Sequence, residues 1–417
     1  MDRGSAYSHS RHIHRSIGIL DGDPGRTHCK RPVRAHVGAR RGNLVFSTLV
    51  MAAFLLSALF ALQISLSSDG PAHGIKRVQT PMMTLVLTPH DSIFINGDGD
   101  FTSAHGVTGG SGTPSDPYII EGWNISAASA MGIQIQDTVA RFVVSSCFIH
   151  DGVSTYLGIY MVNCTNGILV NNTCQSNLFG INIYSSRNDT LINNSCNSNF
   201  FAGICLSSSD DNTLNDNSCS SNSFDGIDLS SSSNNTLNGN SCKSNENHGA
   251  HLEYSSDNNT LVNNNCSSNK MYGVYLSSSA GNIMTRNQIC SNPYGGAYIS
   301  SGSSSNIVFK NTFTGNHGSN DTYNSLHVQA SDGGTGNWWN GTDGRGNYWC
   351  DWTTPDANHD GIVDIPYNIT GSAGSKDYYP LTTVQTQIPE FGMMPFVAMV
   401  LLAAIVLTRG ARRRKSH

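Results

Sequence analysis

Short apolar segments recur along the middle of the chain at a fixed step. The motif Gly, apolar, any residue, apolar begins at Gly158, Gly180, Gly203, Gly226, Gly249, Gly273 and Gly296, at spacings of 22, 23, 23, 23, 24 and 23 residues. A second series, Asn-x-(Cys, Ile or Phe)-x-x-Asn, keeps the same step: Asn172/Cys174/Asn177, Asn194/Cys196/Asn199, Asn217/Cys219/Asn222, Asn240/Cys242/Asn245, Asn264/Cys266/Asn269, Asn287/Ile289/Asn292 and Asn311/Phe313/Asn316. A third apolar position falls at Leu191, Leu214, Leu237, Leu261, Met284 and Val308. Three short apolar segments per period, separated by turn residues, predict three strands per repeat.

Self-similarity at this period marks a solenoid, in which no repeat buries its apolar face alone and stacking builds the core. Segments this short, with helix-poor Asn and Ser between them, predict no helices. Leucine-rich repeats share the period but alternate strand with helix and lack the Asn punctuation. The expected fold is therefore all-β: a right-handed parallel β-helix, a solenoid with three strands per 22–24-residue coil, its handedness following the general preference of parallel crossovers. Coils stacked about 4.8 Å apart turn repeated inward residues into ladders. The Cys174, Cys196, Cys219, Cys242 and Cys266 series is expected as one of free, buried thiols, since stacking needs no bridge and the count of 11 cysteines is odd. The Asn series is expected at left-handed turns, bonding sideways to its stacked copies.

The ends differ from the body. Lys and Arg outnumber Asp and Glu 9 to 3 in residues 1–43 and 5 to 0 in residues 409–417, while residues 67–392 carry 10 against 26. Apolar runs at 44–66 and 393–408 each have their basic flank on the side away from the body. The positive-inside rule then predicts two hydrophobic helices flanking the solenoid, both termini cytoplasmic before any processing, and an exported body tethered to the membrane of the cell surface. The first run is long enough to span a bilayer and reads as a signal anchor; the second is short for that. Residues 1–43 read as a disordered basic tail or an over-extended start, 67–90 as a linker, 91–130 as the lead-in cap, 131–335 as the repeats, 336–381 as a Trp/Gly-rich closing segment and 382–392 as a second linker. The acidic body excludes nucleic acid as a partner, which would demand a basic stripe. The glycine-rich stretch near Gly109, Gly110 and Gly112 has no helix after it and predicts no nucleotide site.

Two sets of residues carry candidate chemistry. In the loop after the last repeat, Asp356, Asn358 and Asp360, then Gly361, the carbonyl of Ile362 and Asp364 follow the ligand order of a seven-coordinate Ca²⁺ site, without the usual closing Glu. In the repeats, the x of Gly-apolar-x-apolar points outward and forms a column Tyr160, Asn182, Cys205, Asp228, His251, Tyr275 and Tyr298, with Glu253 beside His251. Asp228, His251 and Glu253 are the candidate catalytic acid and base groups, and Tyr275 and Tyr298 the candidate sugar-stacking residues. Three functions stay open: a glycan binder, a structural or adhesive envelope component interacting with other envelope proteins, and a polysaccharide lyase, hydrolase or epimerase. Sequons at Asn124, Asn163, Asn171, Asn188, Asn193, Asn234, Asn258, Asn265, Asn320, Asn340 and Asn368 allow N-glycosylation of an exported chain, unless the turn ladders bury them.

The segment Ser115–Trp123, the Asn-punctuated coils, and the closing Gly346-Asn347-Tyr348-Trp349 with Asp356–Asp364, Pro366-Tyr367 and Asp377–Leu381 resemble the NosD-type β-helix proteins of archaeal cell surfaces, over roughly residues 91–381. Pro389-Glu390-Phe391-Gly392, followed by an apolar run and an Arg cluster, is similar to PEF-CTERM sorting tails, which implies cleavage near Pro389 and replacement by a membrane anchor. The NosD resemblance implies copper delivery. The residues themselves argue against copper, because the regular cysteines are expected to point inward and no Met or His cluster stands out in the body.

Overall fold

The computed structural model of the protein describes residues 87–384, and both apolar runs lie outside them, as do the basic ends and the Pro-Glu-Phe-Gly motif. The described chain is a parallel β-helix. One sheet has ten strands, from Ile93–Asn96 through Ile133–Thr138, Ile159–Cys164, Ile181–Tyr184, Ile204–Ser207, Ile227–Ser230, Ala250–Glu253, Tyr272–Leu276 and Gly295–Ile299 to Ala330–Asp332. A second sheet of ten strands runs beside it, parallel except for Val107–Gly109 at its edge. The third face is a pair of shorter sheets joined by single bridges through Ser195, Ser218, Ser241, Asn265 and Gln288. Among the described residues no helix is long and apolar enough to cross a membrane.

Strict coil-to-coil register makes the core. Ile181, Ile204, Ile227, Ala250, Val274 and Ala297 pair in one inward column, and Leu191, Leu214, Leu237, Leu261, Met284 and Val308 in another, all buried. The Cys174 to Cys266 ladder is the third, its thiols free and buried as expected. Further along, this column widens to Ile289, Phe313 and Trp349. Trp349 lies between Phe313, at 4.3 Å, and Tyr367, at 4.1 Å, both near-parallel, so aromatic rings close the end of the core. Two buried carboxylates hold this cap: Asp377 accepts from the Trp349 indole at 2.9 Å and Asp332 from the Trp339 indole at 3.0 Å.

The corners are held by buried amides. Asn240 accepts at Oδ1 from the backbone N–H and the Nδ2 of Asn217, each at 3.0 Å. Its own Nδ2 donates to Asn264 Oδ1 at 3.0 Å and to the Leu214 carbonyl at 2.9 Å. The same bonds repeat from Asn172 to Asn347, a second ladder runs from Asn177 to Asn316, and a third from Asn212 through Asn306 to Asn337. The periodic Asn are not themselves the left-handed residues, contrary to expectation. That conformation belongs to the residue just before each: Asn193 (φ 52°), Asp216 (φ 55°), Gly239 (φ 67°) and Asn263 (φ 56°) precede Asn194, Asn217, Asn240 and Asn264. The left-handed residue turns the chain outward, which frees the next side chain to point in and bond along the stack.

The Gly158 to Gly296 series has a steric cause. A Cβ on Gly226 would lie 2.5 Å from the Gly249 carbonyl oxygen and 2.8 Å from Asn245 Nδ2, so the coils stack at this distance only without a side chain. Gly226→Ala is expected to cost on the order of 1–3 kcal/mol through overpacking, read as a lower urea midpoint.

Asp189 is the exception in the third ladder. Its Oδ1 accepts from the Gly167 N–H at 2.7 Å, but its Oδ2 has no partner, where the later Asn235 donates Nδ2 to the Ser209 carbonyl at 3.0 Å. Burial pushes the carboxyl up to about 8, against the opposing Gly167 bond. The folded state therefore favours the neutral acid, and the stability this group contributes is complete below its unfolded pKa of about 4 and lost as pH rises through about 8. Asp189→Asn supplies the missing donor at every pH. Urea unfolding should find the variant more stable than the wild type at pH 9, by on the order of 1–3 kcal/mol, with the difference shrinking toward pH 4.

Candidate functional site

The outward column of the first sheet forms as expected: Tyr160, Asn182, Cys205, Asp228, His251, Tyr275 and Tyr298 pair in register coil after coil. Its middle is less exposed than a solenoid's outer face should be, with Cys205 and Asp228 both buried. A second row covers it. Asp225, His248 and Tyr272, each just before a repeated glycine, also project to this side and crowd onto His251 and Tyr275. The sequence signal for them was available as three doublets in successive coils: Asp225-Gly-Ile-Asp228, His248-Gly-Ala-His251 and Tyr272-Gly-Val-Tyr275.

The structure brings Asp228, His251 and Glu253 together and adds Asp225. His251 Nδ1 lies 3.4 Å from Asp225 Oδ2 and 3.8 Å from Asp228 Oδ1, while its Nε2 lies 3.8 Å from Glu253 Oε2. Asp225 is fixed by its other oxygen, which accepts from the His248 N–H at 2.9 Å. On the far side of Asp228, the Cys205 thiol approaches Oδ2 at 3.7 Å. Burial pushes the Asp228 carboxyl up to about 8, reinforced by Asp225 and opposed by His251. Burial alone would lower His251, but the hydrogen bond and charge of Asp225, then Asp228 and Glu253, raise it overall. Glu253 is raised by burial against the pull of His251. His248 is pushed down to about 4 by burial, and its Nδ1 accepts from the Tyr272 N–H at 3.3 Å. Its ring sits 5.2 Å from that of His251, a histidine pair that single-column reading did not anticipate.

Beyond the histidines lies an aromatic shelf. Tyr275 stacks flat on His251 at 4.9 Å and 4°, Tyr272 stacks on Tyr298 at 5.0 Å, and Tyr294 meets Tyr272 edge-on at 6.2 Å. Tyr272, Tyr294 and Tyr298, with His317, Val328, Ser331 and Thr370, line a hollow of about 200 Å³. Tyr298 of the two expected stacking residues lines it; Tyr275 stands behind, joining it to the histidines.

The Asp-rich loop is separate from this face. Asp356 accepts from the N–H groups of Asp360 and Gly361 (3.2 and 3.1 Å), Asn358 from Asp360 N–H (3.1 Å), Asp360 from Ile362 N–H (2.9 Å) and Asp364 from Ala357 N–H (2.8 Å). The loop thus wraps its own carboxylates with backbone N–H groups, each accepting oxygen keeping a further lone pair. Sequon residues Asn171, Asn188, Asn193, Asn234 and Asn258 are exposed left-handed corners, and the ladder amides beside them are the buried ones.

A family model described as periplasmic copper-binding protein (NosD) matches residues 197–354, and one described as a right handed beta helix region matches residues 92–266. No curated protein matches the chain. Among solved structures it is similar to the periplasmic alginate epimerase AlgG (15% identity over 55% of this chain and 63% of that one, TM-score 0.44). It is also similar to the A-module of the Azotobacter vinelandii mannuronan C-5 epimerase AlgE6 (16%, 52% and 74%, TM-score 0.34) and to the Dettilon tailspike protein (11%, 60% and 61%, TM-score 0.38). The chain spans less than two thirds of AlgG, and at these scores the likeness carries no activity across.

Proposed function

Taking this chain as a NosD-type right-handed parallel β-helix protein, we propose that it is an extracytoplasmic surface module that binds a glycan along the outward face of its first sheet. The observation that carries this reading is the shelf: Tyr272, Tyr294 and Tyr298 come from adjacent coils and line a hollow of about 200 Å³, with Tyr275 packed behind them. Tyrosine rings offer flat apolar faces to the C–H surface of a sugar and phenol hydroxyls to its polar edge, and a concave site with few polar groups suits a small ligand unit. Tethering to the membrane, with the body outside and both termini cytoplasmic before processing, rests on the charge-flanked apolar runs.

A second reading adds chemistry to binding. His251 has carboxylate oxygens 3.4–3.8 Å from both ring nitrogens, and Asp228, His251 and Glu253 would then act as acid and base groups of a lyase, hydrolase or epimerase next to the bound sugar. Copper(I) delivery, by contrast, does not fit the residues of this face. Copper(I) calls for converging sulfur and imidazole donors; here the Cys174 to Cys266 thiols are sealed in the core, the Cys205 thiol is raised well above its ordinary value by burial, and His248 already accepts a backbone N–H.

A glycan array followed by calorimetry on the hits checks the first reading. Saturable binding is expected, weakened about tenfold, or about 1.4 kcal/mol, by Tyr298→Ala, while product analysis of the same mixtures reports turnover if the second reading holds. Silence across acidic and neutral glycans would remove both and leave an architectural coat protein.

We also propose that Asp356, Asn358, Asp360, the Ile362 carbonyl and Asp364 bind Ca²⁺, a reading supported by the ligand order and by the side chains of Asp356, Asn358, Asp360 and Asp364 all accepting N–H bonds within the one loop. Calcium should raise the melting temperature of the wild type and not of Asp360→Ala; equal responses from both would dismiss the site.

A further inference from the structure

We propose that Asp225, Asp228 and His251 form a binding site for a borderline divalent cation of the Zn²⁺ class, set into the outward sheet next to the tyrosine shelf. The inference stands independently of glycan binding. One ligand atom from each of the three residues lies within 4.8 Å of the others. A tetrahedral ion with arms of about 2.0–2.1 Å separates its ligands by roughly 3.3–3.4 Å. His251 Nδ1 to Asp225 Oδ2, at 3.4 Å, already matches such an edge, and Nδ1 to Asp228 Oδ1, at 3.8 Å, exceeds it by a few tenths. These separations are too long for firm hydrogen bonds, which run near 2.7–3.2 Å.

Asp228 points independently to a ligand. It is 7% exposed, and its Oδ1, the atom facing the imidazole, has no hydrogen-bond partner. An unpaired buried acceptor is costly, and a cation between Oδ1 and the imidazole would satisfy it. The surroundings have the form of an outer ligand shell. Asp225 is oriented by the His248 N–H at 2.9 Å. Ligation through Nδ1 would turn the Nε2–H of His251 toward Glu253 Oε2, now 3.8 Å away, giving the carboxylate–histidine–metal order that fixes a ligand imidazole. The Tyr275 ring, stacked flat on His251, restricts the rotation of the imidazole.

Charge and donor type set the kind of ion. Asp225, Asp228 and Glu253 surround one imidazole, so a double positive charge would let the three carboxylates ionise together away from water. One nitrogen and two carboxylates make a mixed donor set suited to zinc, and too nitrogen-bearing for the all-oxygen shells of calcium or magnesium.

The test compares zinc retention by the full-length chain and its variants after chelator stripping, reloading and desalting, with affinity read by competition against a chromophoric zinc indicator. The histidines of the N-terminal segment contribute a background common to every protein in the set. Asp228→Asn, nearly isosteric, and His251→Gln should each lose one equivalent of tightly held zinc relative to wild type. Glu253→Gln should keep that equivalent and weaken it about 10–100-fold. Tyr298→Ala, offered as the glycan-face variant, should leave zinc unchanged, which separates failure of this site from failure of the glycan reading. Far-UV circular dichroism identifies any variant that has lost the fold, and His251→Gln, being on the more open side, decides the case if Asp228→Asn unfolds. Equal zinc content and affinity in wild type, Asp228→Asn and His251→Gln would overturn the proposal.

Discussion

Each coil of this solenoid turns several times, and every inward turn carries backbone polar groups away from water. The fold depends on answering them, and the Asn ladders do so: an amide such as Asn240 serves the coil before and the coil after, so four hydrogen bonds close around one side chain. A single bond of this kind contributes only about 0.5–1.5 kcal/mol net, but an unmatched amide at one level strands groups on two others. The ladders therefore enforce register as well as stability. Asp189, whose Oδ2 has no partner, marks where such a ladder begins one bond short.

Register imposed inside is transmitted outside. Because each inward column repeats without slippage, the outward positions between them also align, and unlike side chains are delivered to fixed neighbours. A cluster of three carboxylates, two imidazoles and four phenols thus arises on short strands and the corners that lead into them. Its partial burial follows from two rows, one on each side of the glycine series, leaning over the same strip of sheet.

The fold was legible because its constraint is local and repeated: Gly226, Asn240 and Cys242 each recur with a period that no helix or ordinary sheet produces. The site was half legible. Asp228, His251, Glu253, Tyr275 and Tyr298 follow from the alternation of inward and outward positions. Asp225, His248 and Tyr272 were missed because strand alternation assigns no face to the residue before a corner glycine, although the paired doublets around Gly226, Gly249 and Gly273 carried the information. The left-handed residues were misplaced by one position for a similar reason: Asn is suited both to a left-handed corner and to a buried amide ladder, and composition alone does not divide the two roles between Asn193 and Asn194.

The aligned outer face is also a ruler. Its ten strands are spaced about 4.8 Å apart, so inserting or deleting one coil would move the tyrosine shelf relative to the acidic cluster, or to either end, by that increment and leave each local grouping intact. Distance along the face is therefore quantised, while chemistry at each level changes by single substitutions. For a ligand that is itself a repeating polymer, such a surface would set which unit meets the aromatic shelf and which meets the charged cluster, through the number of coils between them.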